Sequence, residues 1–436
     1  MKKDYLSILK KSSSGIFVVK IVGIGLAFLL QLYLARLLKV DEFGVYIYVL
    51  TWMNLLLLIV THGWDTSTIR HVSEYNAKLK WAALKGFLLT SWLFTLASSV
   101  IVSFCILVIV YLFEGIIEYN AVMVFMFGCF LLPVNTLLQT TCAGIQGMGQ
   151  VVRSQMPQNI FRPFLFGLTL LFFTLYQAED LNSKDAMLIN IFSGFVALVL
   201  SMLLFKSIIP SKVITVTPTY EVKTWFHTAI PLLLVSGFIM LMNRLDILML
   251  GSMSGTSEAG IYSVASRISE LATFGLVAVN GVMAPMIASM YSTNKYQELQ
   301  KIVSQSVIGV SIVTLAICLV LVVIGGEVIS LFGAGFEIGE ASLYILLLGQ
   351  FVNSLSGSSG FLMSMTGQQK MAAYILGSVA IINAILNYIL IPLYGMEGAA
   401  YATAISMVLW NILMAIVVRE RTGIYPTIFS FRRAFK

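Results

Sequence analysis

Arg244, Asp246, Arg267 and Glu270 are four formal charges inside a stretch that otherwise reads as apolar helix. They fall within residues 243–270, NRLDILMLGSMSGTSEAGIYSVASRISE, and the apolar flanks run from about Thr228 to Met290. The segment reads as the end of one helix, a short polar turn and the start of another. Counting from Gly255, Arg244 lies eleven residues back and Arg267 twelve forward. At about 1.5 Å per residue they reach similar depth and can pair across the hairpin. Arg267 and Glu270, three apart, share one helical face, whereas Arg244 and Asp246, two apart, point roughly opposite ways. Charges this deep are expensive and face a partner or a water-filled space. An arginine there can hold an anion, and a carboxylate can exchange a proton or a sodium ion.

A second charged layer combines Lys20, Asp65 and Arg162. Taking Asp41 as the turn, Lys20 lies 21 residues before it and Asp65 lies 24 after, again matched in depth. His62 is expected one turn from Asp65 on the same face, where its imidazole could titrate near neutral pH or simply pack through a hydrogen bond. Two readings compete for the whole set. In one, salt bridges lock helix pairs, and Lys20 and Arg162 snorkel to the headgroups. In the other, Lys20, Arg162, Arg244 and Arg267 hold an anionic headgroup in a hydrophilic cavity, while Asp65, Asp246 or Glu270 couples to an ion. One neutral pair would suffice for locking, and seven charges favour the cavity. Asn54, Gln139, Asn159, Asn243 and Asn280 add polar surface on the same spans, with interhelical hydrogen bonding as their simpler role.

These side chains need long helices to carry them, and the composition supplies them. The chain of 436 residues is 58% hydrophobic and 11% charged, whereas soluble domains carry about 25% charged residues. Long continuous apolar runs predict an all-α polytopic membrane protein and exclude a β-barrel, whose strands are short and alternating. Twelve spans are expected, near 14–36, 44–69, 84–112, 119–142, 156–177, 185–208, 226–251, 259–290, 301–324, 339–366, 371–391 and 397–418. The start, MKKDYLSILKK, lacks a small-residue cleavage site and reads as a short interfacial helix before an uncleaved first span. Cys105, Cys129, Cys142 and Cys318 have no metal spacing and read as packing residues. With the N-terminus inside, 21 of the 27 basic residues fall on one side of the membrane and only Arg36, Lys39 and Lys184 on the other. That positive-inside asymmetry places both termini in the cytoplasm and turns the net charge of +7 away from nucleic acid.

The domains expected are residues 1–208, a cytoplasmic linker 209–225 with Pro210 and Pro218, and residues 226–436 with a basic tail. The halves look related. Glu42-Phe43-Gly44-Val45-Tyr46 and Glu258-Ala259-Gly260-Ile261-Tyr262 are shifted by 216, and Gly149-Gln150 and Gly367-Gln368 by 218. A repeat of six helices keeps its orientation, so the expected architecture is two pseudo-symmetric six-helix lobes with a central cavity. Pro133, Pro157, Pro163, Pro231 and Pro285 permit bends. The run SLSGSSG, 354–360, would let helices approach closely.

Several chemistries are missing from the sequence. It has no P-loop, H-E-x-x-H, cysteine cluster or nucleophile elbow, and the loops are too short to hold a glycosyl acceptor. Neither an enzyme nor a resident metal or cofactor is expected. The turn at 34–46, the Arg-terminated WDTSTIR at 64–70 and D-x-x-x-L-G followed by E-A-G-I-Y-S at 246–263 resemble the polysaccharide-biosynthesis flippases of the O-antigen (Wzx) type. Their superfamily also holds multidrug and toxin extruders and the lipid II flippases. The resemblance implies alternating access that moves a polyprenyl-pyrophosphate-linked oligosaccharide from the cytoplasmic to the periplasmic leaflet of a bacterial inner membrane. It also implies membrane lipid as a partner, coupling to H+ or Na+, and association with a polysaccharide polymerase. By the same likeness Lys20, Asp65, Arg244, Asp246, Arg267 and Glu270 line the cavity. A drug extruder of the same superfamily and a non-transporting scaffold for glycan assembly are the rivals.

Overall fold

In the computed structural model, residues 2–112, 119–176 and 181–427 are described, and the side chains of 2–18, 20, 119, 227–236, 238, 239, 243, 278, 281, 282, 284, 285 and 288 fall outside that description. Pro231 and Pro285, expected as bend points, are among those side chains. The helices run in chain order as α1 (Lys2–Thr61), α2 (Trp64–Ala77), α3 (Trp81–Leu112), α4 (Tyr119–Gly147), α5 (Val151–Met156), α6 (Arg162–Tyr176), α7 (Ser183–Ile208) and α8 (Ser211–Thr215). They continue as α9 (Val222–Met253), α10 (Thr256–Glu270), α11 (Phe274–Ser292), α12 (Tyr296–Ser330), α13 (Glu340–Leu355), α14 (Ser359–Met365) and α15 (Gln369–Thr422). A π turn, Pro157–Phe161, joins α5 to α6. No strand occurs among the described residues.

Among the described residues eight stretches are long and apolar enough to cross a membrane. Two of them each hold a pair of the expected spans run together. Within α1 the join is Lys39, at φ 60 and ψ 177, and within α15 it is Gly395, at φ 54 and ψ −133. The expected second span, by contrast, is interrupted. His62 (φ 48) and Gly63 (φ 74) are left-handed, and α2 starts afresh at Trp64. His62 and Asp65 therefore do not share a helical face, because the break between them re-aims the chain. The His62 ring lies edge-on to Phe94, and its Nδ1 sits 2.8 Å from the Val60 carbonyl. The serine–glycine run also does more than permit contact. Gly357 (φ 54) separates α13 from α14, and a Cβ there would come within 2.4 Å of Val307 Cγ2.

By internal packing the chain divides into two units, residues 1–38 with 45–237 and residues 39–44 with 238–436. In the first unit α4 lies against α2, α3 and α7. Ser91, Thr95, Ser99 and Ser103 form a small buried stripe every fourth residue along α3, and Ser103 donates to the Cys129 carbonyl of α4 at 2.8 Å. Small hydroxyl residues allow this approach without orphaning their own groups. Along α2, Trp64, Phe87, Phe205 and Trp225 form an aromatic core.

In the second unit α13 packs on α10, α12 and α15, and the core includes Ile287, Val303, Leu362, Val379 and Val418. Residues 39–44 belong to this unit and explain the repeated glycine. A Cβ on Gly44 would lie 2.3 Å from the Thr256 carbonyl oxygen, and one on Gly260 would lie 2.7 Å from the Gly44 Cα. Only glycine fits at either position. Ser257 donates to Asp41 at 2.6 Å beside this contact.

Candidate functional site

Asp246 is the deepest charge in the second unit. It sits on α9, where the apolar sequence winds a helix regardless of the acid, and only 4% of it is exposed. The Tyr262 hydroxyl on α10 donates to its Oδ2 at 2.7 Å. The Thr403 hydroxyl on α15 donates to the same oxygen at 3.3 Å, and the Ile247 amide donates to Oδ1 at 2.9 Å. Three donors offset part of the hydration that a carboxylate loses on burial.

Beside it lies a cavity of about 70 Å³. Asp246, Glu270, Gln350, Asn383, Thr403 and Ser406 supply most of its polar wall, and Met242, Leu346, Met407 and Trp410 supply the apolar wall. Asn383 donates to Ser406 at 3.1 Å, and its Oδ1 accepts from Asn387 at 3.0 Å. Asn387 Oδ1 is buried without a partner. Two carboxylates among neutral oxygen donors suit a hard monovalent cation or a proton better than a transition metal. Among the described residues no cluster of three His, Cys, Asp or Glu side chains forms.

The expected residues separate as follows. Asp246 and Glu270 meet in this cavity. Arg267 stays with Glu270 at 3.2 Å, as their spacing predicts, and both are partly exposed. Arg244 is half-buried; it and Arg267 are both cations with only donors, so neither can serve as the other's counter-charge. In the first unit Asp65 occupies the first turn of α2, half-buried, where a helix N-terminus favours an acid. Arg162 donates to Asn190 Oδ1 at 2.8 Å. The Lys20 side chain lies outside the described residues, as does that of Asn243.

Tyr46, Asn190, Tyr262, Gln350, Asn383, Asn387 and Thr403 were not marked by charge or spacing as functional. Two signals could have found some of them. Tyr46 and Tyr262 end the repeated turn motif, and Asn383 and Asn387 stand one turn apart on an otherwise apolar helix. Thr403 gives no such signal, because hydroxyls in apolar helices usually bond their own backbone.

Among the described residues eight helical stretches are long and apolar enough to cross a membrane, and the second unit holds a buried carboxylate beside an oxygen-lined cavity, which together define a polytopic helical membrane protein. Residues 9–291 match the model of the polysaccharide biosynthesis protein family, and the chain belongs to that family. Residues 231–389 also match the MatE family. Among characterised proteins it is similar to the probable flippase AglR of Haloferax volcanii, 27% identical over 194 residues, or 44% of this chain and 41% of that one. It is likewise similar to the probable low-salt glycan biosynthesis flippase Agl15 of the same organism, 27% identical over 172 residues, or 39% and 36% of the two chains. The matched part thus spans less than half of each relative.

Its fold is similar to that of a solved structure described as a multidrug resistance MATE family transporter of the MOP superfamily in an inward-facing conformation, with a TM-score of 0.72 at 13% identity over 97% of this chain and 94% of the other. The lipid II flippase MurJ in an inward closed conformation matches with a TM-score of 0.67 at 15% identity, over 94% and 87%.

Proposed function

We propose that this chain is a flippase that moves a polyprenyl-pyrophosphate-linked oligosaccharide across the cytoplasmic membrane by alternating access, driven by a cation that binds at Asp246. The observation that carries the reading is a carboxylate shut inside the second unit with three hydrogen-bond donors and an oxygen-lined cavity beside it. A purely structural acid needs no such space. The family match and the two flippase relatives support the cargo class. Lys20, Arg162, Arg244 and Arg267 are the candidates to meet the pyrophosphate, because a phosphoryl group leaving water needs cationic donors. Asp65, Glu270 and His62 remain the secondary coupling candidates.

In this reading both termini are cytoplasmic, as the basic asymmetry supports. The repeat unit is of the O-antigen, capsule or exopolysaccharide kind, and a polysaccharide polymerase receives it. A multidrug extruder is the second reading, and the MatE match over residues 231–389 favours it.

The test is complementation of a host lacking its own glycan flippase, scored by surface glycan against lipid-linked precursor accumulated inside. The intact chain should restore export, and Asp246→Asn, expressed at equal level, should lose it or lose its dependence on the proton or sodium gradient. Full, gradient-sensitive export by the Asn variant would overturn the coupling role. Drug resistance without glycan export would install the extruder.

A further inference from the structure

We propose that Arg162, Asn190 and Tyr46 form a binding site for a compact anion inside the first unit. The π turn Pro157–Phe161 delivers Arg162 at the start of α6, against α7. Its guanidinium lies over Gly194, where a Cβ would stand 3.7 Å from both Cζ and Nε. One turn back on α7, Asn190 accepts from Nη2 at 2.8 Å, so the cation is held against this helix. A snorkelling arginine would instead reach for the headgroups. Asn190 in turn donates from Nδ2 to the Tyr46 hydroxyl at 2.7 Å. The amide orientation is forced, since flipping it would set its N–H groups against the guanidinium. Asn190 is 7% exposed and Tyr46 4%.

What remains after these bonds is one-sided. Asn190 spends its acceptor on Arg162 and a donor on Tyr46. The tyrosine oxygen is already accepting, so its O–H is left to donate, alongside the other guanidinium N–H groups. The groups that the triad leaves unspent are therefore mainly donors. No carboxylate lies within ion-pair reach of Arg162 among the described residues. Arg162 is half-buried; a cation drawn out of water without a counter-charge is destabilising, and an anion relieves it.

The second unit shows what is missing. Tyr262, 216 positions after Tyr46 in the matching turn, donates its hydroxyl proton to the fixed carboxylate of Asp246. In the first unit the equivalent proton faces no built-in anion among the described residues, and a cation stands where the second unit has the acid. One half thus carries an acceptor-rich site and the other a donor-rich one.

The ligand chemistry is a halide or an oxyanion. Its source is either a free inorganic anion or the phosphoryl group of the cargo, and only the second source rests on the flippase reading. The test uses the full chain, free of cargo, in nanodiscs. Its melting temperature is followed as sodium gluconate is replaced by sodium chloride, phosphate or pyrophosphate at constant sodium and ionic strength.

At least one anion should give a saturable rise. Tyr46→Phe, which keeps the buried ring, should weaken the midpoint roughly tenfold, as for one lost hydrogen bond to a charged group. Arg162→Gln should abolish the rise, and the exposed-surface variant Lys80→Gln should leave it unchanged. A rise with chloride, together with chloride-dependent transport, assigns a free anion. A rise with pyrophosphate alone assigns the cargo's phosphoryl group. No saturable rise in the unmodified chain, or equal rises in both site variants, would overturn the site. A rise that persists in a chain unable to export glycan leaves the site standing while the flippase reading fails.

Discussion

A single phenol proton decides the character of each tyrosine in the repeated turn. Tyr262 gives Asp246 its shortest hydrogen bond, 2.7 Å, whereas Thr403 gives a longer one at 3.3 Å. Removing the donor leaves a buried carboxylate oxygen poorly served, at a cost of about 1.5–3 kcal/mol. Tyr262→Phe should therefore lower the melting temperature clearly, and Thr403→Val should lower it less; equal melting curves would contradict this order. His71 offers a second test at the same scale. It is 4% exposed, with neither ring nitrogen paired. The Tyr75 ring stacks on it and Phe87 packs against it. Burial holds its pKa below the usual histidine value, against the opposing pull of Glu74 and Glu221 and together with the push of Arg70. The unfolded chain then binds a proton near pH 6.5 that the folded chain refuses. Stability contributed by neutral His71 is present above about pH 6.5 and is lost as pH falls below it. His71→Phe should flatten the melting temperature between pH 7.5 and 5.5 relative to the unmodified chain.

Elements were readable where periodicity speaks and unreadable where backbone dihedrals decide. Long apolar runs gave the helices, because in lipid no other open structure satisfies the backbone. The break at Thr61–Gly63 was hidden, since a glycine inside an apolar run signals close packing as readily as a left-handed turn. His62 was misplaced by that one ambiguity. The connection after α7 was also underestimated. It reads as a loop, yet Thr219 N–H donates to the Ala82 carbonyl at 3.0 Å, and Lys85 Nζ donates to the carbonyls of Ile214 at 2.6 Å and Val216 at 2.9 Å. The Trp225 indole donates to the Tyr75 hydroxyl at 2.9 Å, which donates to Glu221 at 3.1 Å. The connection is thus fastened to α2 and α3. Gly86 is the seat, because a Cβ there would stand 2.0 Å from the Thr219 carbonyl oxygen. Gly86→Ala should unseat the strap, and trypsin should then cut at Lys212 and Lys223 several-fold faster in the folded protein. An unchanged digestion rate would mean the strap holds without this contact.

For the whole molecule, composition and charge asymmetry carried the class, while the site lay beyond one-dimensional reading. The Asp246 pocket gathers Glu270, Gln350, Asn383 and Thr403, and Thr403 lies 157 positions from the aspartate. Pairing by depth within one hairpin could not reveal partners from α13 and α15. Orientation, in contrast, is a property that charge counting can forecast and one helix can test. Asn182 and Asp185 cap the start of α7 reciprocally, fixing where it begins. Its 26 residues span roughly 39 Å at 1.5 Å each, more than the hydrocarbon thickness of about 30 Å. Lys184 in its first turn and Lys212, exposed just beyond its end, must then lie on opposite faces if α7 crosses. The asymmetry assigns Lys212 to the cytoplasm, because the basic residues gather on its side. In a Cys105→Ser background, with the buried Cys129, Cys142 and Cys318 shielded, an impermeant maleimide on intact cells should label Lys184→Cys and spare Lys212→Cys until the membrane is opened. The reverse pattern would invert the topology and with it the direction of transport, and labelling of both from outside would remove α7 from the set of crossing helices.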